Sequence, residues 1–253
     1  MQNKLIRMEE TQFNLIELKK KGKICILKLN RPDRKNAMSE AMRTEILEAL
    51  EMIKDVQKIR TVIFYGGEEF FCSGFDKDEV QAAVQGEGDV QRFIDSNLLF
   101  HERLLKYPKL MIAAINGYAL AGGFDLSVLC HLRVAAKDAV FGHPEIRFGA
   151  CPLFFPYMML CGRGKALELT LNAGTRETFI DAQEAHRLNI VNKLVEPGEA
   201  LNEAINMAKE INKSPAIAVT QLLQVSNAFL DRYKAFETEV NTIVESMKKM
   251  LNL

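Results

Sequence analysis

Three short segments set glycine against the end of an apolar run, and each carries a carboxylate. In FCSGFD (71–76), Ser73 and Gly74 follow the apolar stretch TVIFYG. In ALAGGFD (119–125), Gly122 and Gly123 open a helical stretch whose first turn holds Asp125. In FGHPEIRFGA (141–150), Glu145 follows Pro144 inside an otherwise apolar run. Glycine at a helix start lets a ligand approach the backbone, and the first-turn N–H groups there are unpaired and electropositive. Such a place suits a phosphate, or the negative charge that grows on a carbonyl oxygen during acyl chemistry. Neither G-x-x-x-x-G-K-[ST] nor G-x-G-x-x-G occurs, so the nucleotide-binding forms of the loop lack their signature. By pattern alone an A-G-G turn serves tight packing more often than ligand approach. Asp125 and Glu145 together could act as a general acid/base pair. Singly, Asp125 fits a charge at a helix N-terminus, and Glu145 either a surface carboxylate after a turn or a partner for Arg147.

The remaining candidates are weaker. His131 and His143 have no nearby Ser or Cys in nucleophile context. Cys72 and Cys151 lie close to the glycine segments, but no neighbouring base activates them, and small apolar filling suits both. Ser73 lacks a G-x-S-x-G elbow, so its backbone N–H matters more than its hydroxyl. The five cysteines form no C-x-x-C pair and the four histidines show no close ligand spacing. Free thiols in a reducing, cytoplasmic setting are expected, with no metal site.

The elements that must position these residues alternate in type. FNLIEL (13–18) and ICILKL (24–29) read as an antiparallel hairpin about the charged turn KKKGK. Ser39 can cap a helix running to Lys54, with Met42, Ile46, Leu47, Leu50 and Ile53 on one face. TVIFYG (61–66) reads as a buried strand. The polar stretch after it contains Gly74 and a Gly86–Gly88 pair that suggests mobility. A helix over 90–105, a strand over 109–119, a helix from Gly122 and a strand over 133–136 follow. Helical periodicity dominates from Pro156, interrupted at 191–195. The fold class is therefore α/β with a helical C-terminal part: a core over 1–195 and a helical region over 196–253.

Composition sets the outer limits. The chain has 253 residues with 33 Lys+Arg against 33 Asp+Glu, a formal net charge of zero. That balance argues against gripping nucleic acid or an anionic membrane with the whole surface. The N-terminus MQNKLIRMEETQF lacks the unbroken apolar core of a signal peptide.

Taken together, NRPDRKNAM (30–38), FFCSGFD (70–76), 113–152, GRGKALELTLNAG (162–174) and DAQEAHRLNIVNKLV (181–195) resemble the enoyl-CoA hydratase/isomerase (crotonase) superfamily, in order and over nearly the whole chain. The resemblance implies a spiral of ββα units with a C-terminal helical trimerisation region, and a homotrimer or dimer of trimers. It implies an acyl-CoA thioester as partner, with no cofactor beyond the CoA of the substrate. Backbone N–H groups of Ser73 and Gly122 would form the oxyanion hole. Gly74, Phe75, Asp76 and Gly123 would bind substrate, and Glu145 with Asp125 would be catalytic.

Departures from the family pattern are visible. Asp125 stands where the hydratases resembled have glutamate. Leu153 occupies a position where dienoyl-CoA isomerases carry a further acid. CPLFFPYMM (151–159) replaces a glycine-rich stretch, and Gln221 replaces a lysine that meets CoA phosphate, leaving Arg31, Arg34 or Lys35 for that end. The expected activity is hydration of an enoyl-CoA. The alternatives are double-bond isomerisation by Glu145 alone, decarboxylation of an acyl-CoA, and a catalytically silent RNA-binding or scaffold protein.

Overall fold

A computed structural model describes residues 11–85, 89–148, 151–172 and 176–232, with 241, 242, 245 and 249. The Gly86–Gly88 pair and most of the stretch beyond residue 232 lie outside the described residues. Two sheets organise the chain. Strands β1 (Ile16–Lys21), β2 (Ile24–Leu29), β3 (Thr61–Tyr65), β5 (Leu110–Ile115), β7 (Leu132–Ala136) and β10 (Lys193–Val195) form the larger one, in that order. The smaller sheet runs β4 (Phe70–Cys72), β6 (Tyr118–Leu120), β8 (Val140–Gly142) and β9 (Ile180–Asp181).

Consecutive strand pairs divide between the sheets. β3, β5 and β7 enter the six-stranded sheet, and the strands that follow them, β4, β6 and β8, enter the four-stranded one. Helices close each pass: α2 (Lys77–Val84) and α3 (Val90–Leu105) after β4, and α4 (Gly122–Leu129) after β6. Because the order in each sheet is also the order in the chain, the passes stack as a spiral of ββα units. Apart from β1 on β2 and β9 on β8, the strands pair parallel.

The division between sheets explains one difference from the sequence reading. The apolar run over 109–119 is two strands, not one, broken at Asn116–Gly117. Gly117 has φ +61°, and a Cβ there would run into the Glu69 carbonyl. Only glycine lets the chain turn from one sheet to the other at that point. Three short strands, β4, β8 and β9, and helix α2 also lie in stretches with too few apolar residues to give a periodicity to read.

At the other end, β1 extends through Lys19–Lys21, which the sequence reading assigns to the turn. Alternate residues Glu17, Lys19 and Lys21 are exposed on this edge strand, so charge does not interrupt it. The turn is confined to Gly22 and Lys23.

The six-stranded sheet is buried on both faces, as a parallel sheet requires. Cys25, Leu27, Val62, Phe64, Met111 and Ala113 face the core beneath α1 (Glu40–Lys54) and α3. Alternate residues Ile24, Ile26, Ile63, Ile112 and Val134 face α8 (Ala200–Ile211), whose Ala200, Ala204, Ile205 and Ala208 pack on them. α8, assigned by sequence to the C-terminal helical region, thus shares the core of the spiral. α5 (Phe155–Cys161), α6 (Arg163–Asn172), α7 (Ala182–Arg187) and α9 (Ala216–Arg232) complete the described helices. Ser39 does cap α1, its Oγ accepting from the Met42 N–H at 3.3 Å.

Gly117→Ala is expected to cost about 3 kcal/mol or more, since it adds both a steric clash and left-handed strain. Thermal or denaturant unfolding measures this, and a variant as stable as wild type contradicts the account of the sheet-to-sheet turn.

Candidate active site

β4, β6 and β8 are adjacent and parallel, so their C-terminal ends open along one side of the small sheet. With strands about 4.8 Å apart, the segments that follow them meet although some seventy residues separate the first from the last. These segments are the three that the sequence singles out: residues 73–76 after β4, 121–125 after β6 and 143–148 after β8. Ligands of parallel sheets gather at such carboxyl ends.

Backbone direction in the first segment is set by Gly74. Its φ is +110°, and a Cβ there would lie 2.8 Å from Ala121 Cβ and 3.4 Å from Gly122 N. The Met38 N–H donates to the Gly74 carbonyl at 2.8 Å, and the Asp76 N–H donates to the Met38 carbonyl at 3.1 Å. This is a parallel bridge between Met38 and Phe75. In such a bridge the N–H of the central residue points away from its partner strand. The Phe75 amide therefore faces the opposite flank, where Gly122 lies. The Phe75 ring rests against the same glycine: a Cβ on Gly122 would sit 2.9 Å from it.

This corrects one expectation. The Ser73 N–H donates to the Lys35 carbonyl at 3.1 Å, so it is spent within the fold. The amide open toward Gly122 is that of Phe75. Simple strand alternation gives residues 73 and 75 the same direction, and the left-handed Gly74 between them breaks that parity.

The Gly122 N–H belongs to the first turn of α4, whose eight residues are all buried. Ala121, just before it, has φ +49° and ψ −131°. For a residue with a Cβ this strain costs about 1–3 kcal/mol. It is held by three hydrogen bonds: Ala121 N–H to the Gly142 carbonyl at 2.9 Å, and the Ala121 carbonyl accepting from Phe124 and Asp125 N–H at 2.8 and 3.0 Å. Gly123 serves packing, since a Cβ there would strike the Cys72 backbone.

Asp76 is committed elsewhere. Its carboxylate caps α2, accepting from the Asp78 N–H at 2.9 Å, and pairs with Arg31. An expected substrate-binding side chain is thus a structural one. Arg34 pairs with Asp78 at 2.9 Å. Of the three cations considered for the CoA nucleotide, Lys35 has no carboxylate partner among the described residues. Its Nζ lies 5.3 Å from the centre of the Phe70 ring.

The two candidate carboxylates converge on one tyrosine that the sequence reading does not single out. Asp125 is 4% exposed, and the Tyr157 hydroxyl donates to its Oδ1 at 3.4 Å. Burial first, and then the negative charges of Asp125 and Glu145, push the Tyr157 phenol well above its ordinary pKa. Tyr157 therefore stays a neutral donor. Glu145 sits in the 3-10 turn over Pro144–Phe148 and is bonded to His143, not to Arg147, which is exposed. Leu153 is buried, so no third acid enters from that position. Cys72 is also buried, its thiol pushed up to about 12 and unreactive.

A second polar cluster lies behind Phe75. Arg43 is 1% exposed, stacks its guanidinium 5.2 Å from the Phe75 ring centre, and donates to Met38 O and Ser96 Oγ. His101 packs edge-on to the same ring, with Nδ1 2.8 Å from the Asn97 carbonyl.

A family model described as enoyl-CoA hydratase/isomerase matches residues 19–249. The chain belongs to this family. Among relatives, it is 33% identical over 236 residues to the short-chain-enoyl-CoA hydratase of Clostridium acetobutylicum, covering 90% of this chain and 88% of that one. It is 34% identical over 211 residues to the crotonyl-CoA hydratase of Syntrophomonas wolfei, covering 82% and 79%. The crystal structure of an enoyl-CoA hydratase from Bacillus anthracis superposes with a TM-score of 0.78 at 29% identity, covering 92% and 90%. The α/β spiral is thus the family fold.

Burial lowers the His101 pKa from 6.5 to about 4. Between these values the unfolded chain binds a proton that the folded chain refuses. His101 therefore favours the folded state fully above pH 6.5, and this contribution fades as pH falls toward 4. In unfolding curves at pH 7 and pH 4, His101→Leu should shrink the acid-induced loss of stability by about 3 kcal/mol. An unchanged loss contradicts the burial argument.

Proposed function

We propose that this chain hydrates a short-chain 2-enoyl-CoA, adding water across the double bond conjugated with the thioester. The observation that carries the reading is the convergence of the Phe75 and Gly122 amides with Glu145 at three neighbouring strand ends. The names of the relatives support the same substrate class.

In this mechanism the thioester oxygen accepts from the two amides. A water held against the free carboxylate oxygen of Glu145 loses its proton to that oxygen as its own oxygen bonds to C3. The electron pair of the double bond moves toward the thioester, and the charge collects on the oxygen facing the amides. Glu145, now protonated, returns the proton to C2, so one water is added and nothing else is consumed. Fixed N–H donors stabilise the enolate without reorganising, each contributing about 3 kcal/mol to the transition state. Asp125, steadied by Tyr157, is the second carboxylate facing this chemistry. Beyond the CoA of the substrate no cofactor takes part in this scheme.

The assembly we propose is a homotrimer or a dimer of trimers. Ile217, Leu222 and Val225 of α9 are 65%, 70% and 68% exposed, a row of large apolar side chains that contact with another copy would cover. A reducing cytoplasmic setting is proposed from the cysteines, of which Cys25, Cys72 and Cys130 are buried as free thiols.

With crotonyl-CoA, Glu145→Gln is expected to lower kcat about 10³-fold. A 3-enoyl-CoA assayed in parallel separates double-bond migration from hydration, and undiminished hydration would remove Glu145 from the mechanism. Replacing residue 75 by the α-hydroxy analogue of phenylalanine swaps its N–H for an ester oxygen. That should cost about 10²-fold in kcat. The equivalent ester at residue 73 should lower stability and spare kcat. The reverse pattern would restore Ser73 as the donor.

A further inference from the structure

The reaction leaves one buried titratable group beside Glu145 without a role. His143 is 1% exposed, and its Nδ1 lies 2.9 Å from Glu145 Oε1. The imidazole is held on two sides. It stacks on Phe124, with ring centres 5.0 Å apart and planes 25° apart, and meets Tyr157 edge to face at 4.7 Å and 86°. Phe124 and Tyr157 are themselves in contact at 4.7 Å, closing the three rings into one packed group. These contacts fix the plane of the imidazole, and within that plane a half-turn would set a ring carbon against Oε1 and lose the hydrogen bond, so Nδ1 stays on Glu145.

The two oxygens of Glu145 are consequently unequal. Oε1 is engaged by His143, whereas Oε2 is buried and has no hydrogen-bond partner among the described residues. An ionised carboxylate only accepts hydrogen bonds. The proton of a neutral imidazole must then sit on Nδ1, leaving Nε2 bare, and Nε2 is likewise buried without a partner.

We propose that His143 is the positioning residue of Glu145: its Nδ1–H holds Oε1 and so presents Oε2 as the oxygen that exchanges the proton with water and with C2. His143 neither gains nor loses a proton in the cycle. Tyr157 does for Asp125 what His143 does for Glu145, and Phe124 braces both rings.

This inference rests on the hydratase reading, and the test separates the two. His143→Phe keeps the stacking and removes the donor, whereas His143→Gln keeps a donor and removes the ring. With crotonyl-CoA, His143→Phe should lower kcat by about 10²-fold, the scale for a misplaced catalytic group, with KM within about threefold. His143→Gln should recover most of that loss. In a Glu145→Gln background His143→Phe should cost less than about twofold, because the group it positions is gone. Equal losses for Phe and Gln, a loss confined to KM, or additive losses in the double variant would overturn the proposal.

Nitrogen-15 NMR of the histidine side chains in the wild-type chain gives an answer that needs no folded variant of the Phe type. The Nδ1–H tautomer of His143 is expected, and the Nε2–H tautomer would overturn the proposal. A wild-type chain that turns over no enoyl-CoA thioester overturns the activity and, with it, any role for His143 in that activity. Turnover unaffected in His143→Phe overturns the positioning alone.

Discussion

The hydrogen bonds that Met38 makes to Gly74 and Asp76 decide which way the Phe75 amide faces, and the chemistry depends on that direction. They need Gly74 in a conformation that other residues rarely adopt, close against Ala121 and Gly122. Ala121 answers from the other strand end with its own left-handed geometry. Two backbone irregularities thus face each other across adjacent strand ends. Strain of this kind persists only where surrounding structure over-determines it. The loop from Arg31 to Met38 supplies much of that determination: Lys35 and Met38 bond the segment directly, and the Asn36 side chain donates to the Phe71 carbonyl beside it.

Much of the fold could be read from the residues. The helices α1 and α3, the strands β2, β3 and β7, and the glycine start of α4 follow from apolar periodicity and capping residues. What could not be read has a common cause. β4, β6, β8 and β9 have only two or three residues each, fewer than a period-2 pattern needs. Their partnership is set by turns such as Gly117, whose steric necessity shows only when the Glu69 carbonyl is in place. Resemblance to the family supplied the spiral that periodicity could not.

The site divides in the same way. Asp125, Glu145 and Gly122 stand out by residue type beside glycine and proline. The Ser73 assignment failed on a main-chain rotation, which no side-chain pattern encodes, although Gly74 was the available sign. Tyr157 stayed hidden because its sequence context, CPLFFPYMM, reads as an apolar wall. Its hydroxyl acquires meaning only from Asp125 thirty-two positions earlier. His143 lay two residues from Glu145, a spacing that shares a face only along a strand, and the proline between them gave no strand to read. The 3-10 turn beginning at Pro144 bends it back onto the carboxylate.

The lysine-bearing rim of the large sheet has a bearing on how such a molecule survives crowding. Its outermost strands are β1, with Lys19 and Lys21 turned to water, and the three-residue β10, which begins at an exposed Lys193. A stray β-segment seeking to extend the sheet would have to desolvate ammonium groups on one side and find almost no template on the other. Open hydrogen-bonding borders are thereby kept from seeding disordered aggregates, and self-association is left to faces that carry no unpaired backbone.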